Sequence, residues 1–472
     1  MFEKITPPVR EAIESIVGKE NVLSGPEKTI DYSHDEFSLR EIVRQPELVV
    51  KPGAEYQVSE LLRLATERQI PVTPRGGGTG LVGGCVPARG GMVLSLERMN
   101  RILEIDPANQ MAVVEAGLRL SDLSTAVEYA GLYFPPHPGD ESAMLGGLVA
   151  TNAGGSRAVK YGTIRNYVRG LDVVCPTGEI LKLGGKFIKS STGYNLLHLF
   201  IGSEGTLGVV TKAVIQLISK PPLTRSLVVP FAELEQAIDT VPLLLQRGIV
   251  PMAVEFLEIE PIVLAEDYLH LKWPTKLGKT HLLIILDANS EEEMDRLSQA
   301  VADACLEKEA MNIFIAETPS RQDEVLSIRS KIYEAIKAGT VEILDISLPR
   351  AEIAGHVRKV EEIARKHDIW LPTFGHAADG NIHTHIMKAR YMNGQMVPVP
   401  QSEWRDKVDK VREELFEDCR KRGGVISGEH GIGLVKKPFL SLVLGEKQIE
   451  LMRGIKKAFD PAGIMNPGKI FD

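Results

Sequence analysis

The placement of glycine limits how this chain can fold more than any other feature. Glycine accounts for 43 of the 472 residues, against a usual share of ~7%. The excess gathers at 76–91, 139–162, 184–208, 423–433 and 463–468. Glycine is called for where backbone turns sharply or a ligand approaches closely, so clusters this local imply several loops converging on one large ligand. The first cluster, Pro74-Arg75-Gly76-Gly77-Gly78-Thr79-Gly80-Leu81-Val82-Gly83-Gly84, holds a formal G-x-G-x-x-G at Gly78, Gly80 and Gly83. A Rossmann loop needs a helix to begin there, with its N-terminus facing the pyrophosphate. Pro87, Gly90 and Gly91 follow instead, which rules out an amphipathic helix and with it the Rossmann reading. The segment is then either a run of small residues turning several backbone N–H groups toward phosphate oxygens, or a plain surface loop.

The remaining composition narrows the class. There are 55 Lys+Arg against 63 Asp+Glu, a net charge of −8, and no dense basic run. That argues against a nucleic-acid or anionic-membrane partner. No apolar stretch approaches the ~18 residues of a membrane span. The start, Met1-Phe2-Glu3-Lys4-Ile5-Thr6-Pro7-Pro8, lacks the apolar core of a signal peptide. A cytoplasmic protein is expected, with peripheral attachment to a membrane through a partner left open. Cys85, Cys175, Cys305 and Cys419 lie far apart, which excludes a disulfide scaffold, a cysteine zinc finger and an on-chain iron–sulfur cluster.

At ~150 residues per domain the length predicts two to three domains. Short strands and helices run to Ile218, and Lys220-Pro221-Pro222 punctuates the chain. Beyond it, strands at 227–231, 253–257, 281–287 and 313–316 alternate with helices at 233–247 and 291–308. Two β-α-β units of this kind predict a ferredoxin-like layer of helices on a mainly antiparallel sheet. Further helices are expected at 320–338, 350–367, 403–421 and 446–458, a strand at 344–349, and an insertion loop at 389–403.

Two more glycine-rich segments follow the first. One is Pro138-Gly139-Asp140 leading into Leu145-Gly146-Gly147-Leu148-Val149-Ala150-Thr151-Asn152-Ala153-Gly154-Gly155; the other is Ile201-Gly202-Ser203-Glu204-Gly205-Thr206-Leu207-Gly208-Val209-Val210-Thr211. Together with Pro74–Gly84 they resemble, in order, the FAD-binding domain of the vanillyl-alcohol oxidase/p-cresol methylhydroxylase (PCMH) superfamily. The resemblance implies an α+β fold, a two-subdomain PCMH-type FAD-binding domain followed by a ferredoxin-like substrate/cap domain. The expected segments are a helical 1–44, an FAD-binding 45–221, a substrate/cap 222–456 carrying a metal site, and 457–472 returning to the flavin. It also implies FAD contacts at Arg75, Gly76, Gly77, Gly78, Thr79, Gly80, Pro138, Gly139, Gly146, Gly147, Asn152, Gly154, Gly155, Gly162, Glu204, Gly205, Val210 and Asn466.

Histidines carry the rest of the chemistry. In Gly375-His376-Ala377-Ala378-Asp379-Gly380-Asn381-Ile382-His383-Thr384-His385, His383 and His385 share one face of a strand, and the loop 377–381 can return His376 to it. Ser427-Gly428-Glu429-His430-Gly431-Ile432-Gly433 adds an acid and another histidine. Glu and His suit Zn, Mn or Fe alike. Both segments, with Phe459–Lys469, resemble the signature of FAD-linked D-2-hydroxyacid dehydrogenases, a group that includes D-lactate dehydrogenase, the glycolate oxidase catalytic subunit and D-2-hydroxyglutarate dehydrogenase. The resemblance then spans about 45–472. It implies His376, His383 and Glu429 as ligands of one divalent metal, His430 as the base, and Arg329 on the substrate carboxylate.

The implied activity is oxidation of a small D-2-hydroxy acid, D-lactate or glycolate, to the 2-oxo acid. Tyr333 and Ile343 stand where the hydroxyglutarate branch has a Thr and a Lys, and His385 where that branch often has Asn, which favours a monocarboxylate. The alternatives are a D-2-hydroxyglutarate or D-malate dehydrogenase, or a flavin-binding electron-transfer subunit with no active site of its own. Electrons would leave to an electron-transfer flavoprotein, a quinone or an iron–sulfur subunit, from a homodimer or hetero-complex. Some relatives attach FAD through a histidine in or near the first glycine loop. Residues 74–91 contain none, so the flavin should be noncovalent: acid precipitation should release yellow flavin to the supernatant, and flavin kept in the pellet would refute this.

Overall fold

The computed structural model describes residues 2–37 and 40–471. The chain forms two compact units, neither continuous in sequence: Met1–Gly154, Thr163–Lys220 and Glu429–Asp472 make the first, Gly155–Gly162 and Pro221–Gly428 the second. The four segments expected from the sequence divide differently. The N-terminal stretch belongs to the first unit, and the return to that unit begins at Glu429 rather than near 457. The glycine-rich turn at 428–433 carries the crossing, where no apolar periodicity marks a boundary.

The first unit holds two sheets. The smaller has the order Val22–Leu23, Leu48–Val50, Met92–Ser95, Val72–Arg75. Its last three strands are parallel and the first is antiparallel. Leu48–Val50 is buried throughout, as suits a parallel sheet covered on both faces. Helix Glu55–Glu67 buries Val58, Leu61, Leu62 and Ala65, spaced for one helical face, and helix Pro7–Val17 packs against it. The chain end completes this sheet. Val72 N–H donates to the Ile464 carbonyl at 2.9 Å and Asn466 N–H to the Val72 carbonyl at 2.7 Å, so Met465 bridges Val72 in parallel. The larger sheet is antiparallel, in the order Ile102–Asp106, Met111–Glu115, Val209–Gln216, Val168–Val174, Ile180–Gly184.

The second unit is built on a seven-stranded antiparallel sheet. Its order is Phe314–Ile315, Leu223–Phe231, Thr280–Ala288, Ala253–Glu258, Thr373–His376, Asn381–Met387, Thr340–Ser347. The first four strands reproduce the ferredoxin-like arrangement expected from the two β-α-β units, with helices Leu234–Gln246 and Glu291–Glu307 packed together. The other three extend it beyond Ala253–Glu258. The single helical layer expected from the sequence is doubled. Leu257, Leu283, Phe374 and Met387 pack with helices Ile259–Leu269, Pro319–Ser330 and Ile332–Ile336, while Phe256, Leu282 and Ile284, pointing the other way by strand alternation, are also fully buried.

The loop expected at 389–403 is instead a hairpin, Ala389–Met392 paired with Gln395–Pro398. Its turn is Asn393-Gly394, with φ of 51° and 83°. That is the two-residue Asn-Gly turn whose twist matches antiparallel strands, a signal the Pro/Gly/Met-rich composition concealed. Among the described residues no helix is long and apolar enough to cross a membrane.

Segment 155–162 packs on strand Ala253–Glu258 of the second unit and is tied to Asp287. Asp287 accepts from Lys160 Nζ and Tyr161 Oη, both at 2.6 Å. Replacing it, Asp287→Asn, should cost about 1–3 kcal/mol, the usual penalty for leaving a buried polar group poorly paired. Thermal unfolding should show the loss, and limited proteolysis should cut 155–162 faster than in the parent chain.

Candidate active site

In the first unit, strand Val72–Arg75 runs into the loop 76–91 and no helix follows, as the sequence implied. Among the described residues the N–H groups of Gly76, Gly77, Gly78, Thr79 and Gly80 donate to no protein acceptor. Five adjacent donors on a loop of small residues form a donor set that fits the pyrophosphate of a dinucleotide. Arg75 points its guanidinium elsewhere, donating to the carbonyls of His34 at 2.6 Å and Asp31 at 2.8 Å, with Cys85 Sγ at 3.0 Å. It braces the base of the loop.

Glu204 and Asn466 also hold protein. Glu204 accepts from the N–H groups of Ile432 and Gly433, each at 2.7 Å; burial pushes its carboxyl up, against the pull of those two bonds. Asn466 donates to the carbonyls of Gly84 at 2.9 Å and Glu204 at 2.7 Å and accepts from Lys469 Nζ at 3.0 Å. Asn152 ends helix Leu145–Thr151 in a left-handed conformation, and its Oδ1 accepts from Thr163 Oγ1 at 3.1 Å and Arg165 N–H at 3.0 Å. Pro138, Gly139, Gly146, Gly147, Gly154, Gly205 and Val210 lie in this unit, whereas Gly155 and Gly162 lie in the other. Glu429 and His430 belong here too, beginning one peptide after Gly428 ends the second unit.

The second unit gathers the other candidates on one face of its sheet. Strand register places Glu255 opposite His376, Phe374 opposite His383, Asp345 opposite His383 and Ile343 opposite His385. Alternation then puts Glu255, His376, Phe374, His383, His385, Asp345 and Ile343 on the same side. The rings of His376 and His383 meet edge to face with centroids 5.3 Å apart.

Glu255 is 1% exposed and uses both oxygens. Oε1 accepts from His376 Nδ1 at 2.5 Å, and Oε2 accepts from Arg329 Nε at 2.7 Å and from Arg329 Nη2. Burial alone would raise its pKa, but the charges and hydrogen bonds of Arg329 and His376 outweigh it and hold the carboxyl at about 2. With Nδ1 held by Glu255, Nε2 is the His376 nitrogen that would ligate a metal. Two imidazoles on one face, one of them oriented by a carboxylate, form a donor set that fits Zn, Mn or Fe.

His385 is packed between aromatic rings, Phe374 at 4.8 Å and Tyr333 at 5.8 Å, which makes it a wall. Asp345, fully buried, accepts from Asn381 Nδ2 at 2.8 Å and Ser427 Oγ at 3.0 Å and lies 4.0 Å from His383 Nδ1. Glu255, Asp345 and Asn381 were not singled out by sequence reasoning. A signal was present: Val254-Glu255-Phe256 and Leu344-Asp345-Ile346 each set one acid inside an apolar strand, where a charge persists only if paired.

The match to known families covers most of the chain. Residues 46–184 match the FAD binding domain and residues 220–470 the FAD linked oxidases, C-terminal domain. The D-lactate dehydrogenase of Anaerostipes hadrus is 39% identical over 99% of this chain and 98% of its own. That of Archaeoglobus fulgidus is 43% identical over 90% and 91%. In fold the chain resembles p-cresol methylhydroxylase with substrate bound, at a TM-score of 0.81 and 18% identity, over 100% of this chain and 99% of the other.

On the same strand as Glu255, half-buried Glu258 shows the opposite balance. Burial raises its carboxyl to about 8; only the Thr373 N–H, at 3.0 Å, opposes this, while Glu260 and Glu361 add to it. A carboxyl raised in the folded state contributes stability below its unfolded value of 4.5, which is lost as pH rises toward about 8. Glu258→Gln should remove that loss, so melting curves of the two chains should coincide near pH 4.5 and separate, with the variant more stable, by pH 8.

Proposed function

The chain belongs to the FAD-linked oxidases, and from that membership we propose that it oxidises a small D-2-hydroxy acid, D-lactate or glycolate, to the 2-oxo acid with noncovalent FAD and one divalent metal. The observation that carries this reading is the Glu255-oriented His376 beside His383, with Arg329 on the same carboxylate, in a chain whose relatives are named D-lactate dehydrogenase.

In this reading Arg329 binds the C1 carboxylate through two hydrogen bonds. His376, His383 and Glu429 hold the metal, which when bound supplies Lewis acidity at the substrate hydroxyl. His430 accepts the hydroxyl proton. The N–H groups of 76–80 would cradle FAD, whose flavin, when bound, would supply the hydride acceptor for Cα; a separate redox partner would take the electrons. Tyr333, His385 and Ile343 form the wall around C3, and burying an unpaired second carboxylate against them would cost several kcal/mol.

One observation favours a second reading, a dicarboxylate such as D-2-hydroxyglutarate or D-malate. Lys337 Nζ lies 5.7 Å from the centre of the Tyr333 ring, so a cation stands beside this wall. Steady-state assays with a dye acceptor separate the two. D-Lactate or glycolate should exceed D-2-hydroxyglutarate in kcat/KM by at least about tenfold, each ~1.4 kcal/mol being one decade. The reverse order, abolished by Lys337→Met, would establish the dicarboxylate.

His430→Asn should slow anaerobic flavin reduction by about 10²–10⁴-fold, the usual worth of a general base, with FAD still bound. A chelator should abolish turnover and leave the flavin in place. Full activity in a preparation shown metal-free by elemental analysis would end the metal requirement.

A further inference from the structure

We infer that Glu255 is the positioning residue of this site, one carboxylate that aims His376 Nε2 at the metal and the outer edge of Arg329 at the substrate carboxylate. The inference rests on the function proposed above and deepens it. Glu255 projects from an apolar strand between Val254 and Phe256, both buried. A charge there is costly, and replacing a buried ionic group by apolar residues is often neutral or stabilising, so neutralising neighbours is a poor reason to have it.

The division of its oxygens gives a better one. Oε1 goes to His376 Nδ1 at 2.5 Å, and a histidine whose Nδ1–H is held by a carboxylate keeps its ring angle and the tautomer with the lone pair on Nε2. Oε2 takes the Nε and Nη2 side of Arg329. Among the described residues Arg329 Nη1 has no acceptor. The guanidinium is a planar fork with two usable edges, so Glu255 consumes the inner one and leaves Nη1 and Nη2 to grip a carboxylate in parallel. Phe374, its ring centre 5.7 Å from Arg329 Cζ, flanks the guanidinium. One side chain thereby fixes a metal ligand and an anion clamp in a single geometry.

The test uses the full chain with FAD bound. Wild type and Glu255→Gln are stripped with a chelator and titrated with Zn²⁺. Gln keeps the shape but loses the charge and one of the two acceptors. The variant should bind Zn²⁺ about 10–100-fold more weakly, the usual effect of losing such an orienting partner, and its KM for D-lactate at saturating metal should rise at least tenfold. A merely structural role would lower the melting temperature and leave the Zn²⁺ affinity of the folded protein within twofold; that result overturns the inference.

A second measurement needs no variant. Cobalt-loaded wild type should show a hyperfine-shifted imidazole N–H proton that exchanges slowly in D₂O, because His376 Nδ1–H is buried against Glu255. Its absence overturns the inference even if Glu255→Gln does not fold. The readouts also separate this idea from the function it rests on. Failure of every 2-hydroxy acid to bleach the flavin, with the Zn²⁺ shift present, sinks the substrate reading and upholds the metal half. Bleaching by D-lactate with no Zn²⁺ binding by wild type does the opposite.

Discussion

A carboxylate closed inside a β-sheet must be answered by positive charge or give up its own. Glu255 is answered by the charge of Arg329 and by a hydrogen bond from His376 Nδ1. His376 and Arg329 are both arranged around that fact. The ion pair joins strand Ala253–Glu258, strand Thr373–His376 and helix Pro319–Ser330 at one point, and the apolar cluster of Leu257, Ile328, Ile332 and Phe374 seals the same face next to it. Removing one partner of such a group leaves an uncompensated charge in a dry interior, a loss of about 3–5 kcal/mol. Three positions far apart in sequence are thus tied to one another. Glu258, three residues along the strand, shows what happens without cations: burial raises its carboxyl to about 8.

Close backbone approach allows the tie to form. At Gly375 an added Cβ would collide with the Asn381 carbonyl, so the strands carrying His376 and His383 come together only because that position has no side chain. Gly428 plays the same part on the other side of Asn381, where a Cβ would lie 2.8 Å from the amide carbon. Gly375 and Gly428 therefore do a different job from the glycines at 76–80, which expose N–H groups.

How much of this could be read from the residues depended on the range of the interaction. Period and punctuation gave the ferredoxin-like half, because a β-α-β unit is local. Rejection of a Rossmann loop followed from Pro87 and Gly90 alone. The parity of His383 and His385 placed both on one face, as the strand has them. What escaped was non-local. The pairing of Glu255 with His376 spans 121 residues, and no spacing rule reaches that far. The roles of Arg75, Glu204 and Asn466 escaped for a related reason: their partners are backbone carbonyls and N–H groups, which any sequence supplies. The Asn393-Gly394 hairpin was local and legible; a reading of composition over 389–403 passed over the two residues that decide it.

The discontinuity of the first unit has a consequence for synthesis. Its smaller sheet keeps the Val72 edge uncovered until Ile464, Met465 and Asn466 pair with it. On the ribosome the whole of Pro221–Gly428 must be made in between, which takes on the order of 10–40 s at ~5–20 residues per second. Through that interval the nascent chain presents an unpaired parallel edge beside a glycine-rich loop, the kind of surface other chains add to. Whatever shields it, a chaperone or early capture of a flavin by the loop, acts before the protein is complete, so flavin supply during translation would govern yield as much as the stability of the finished fold.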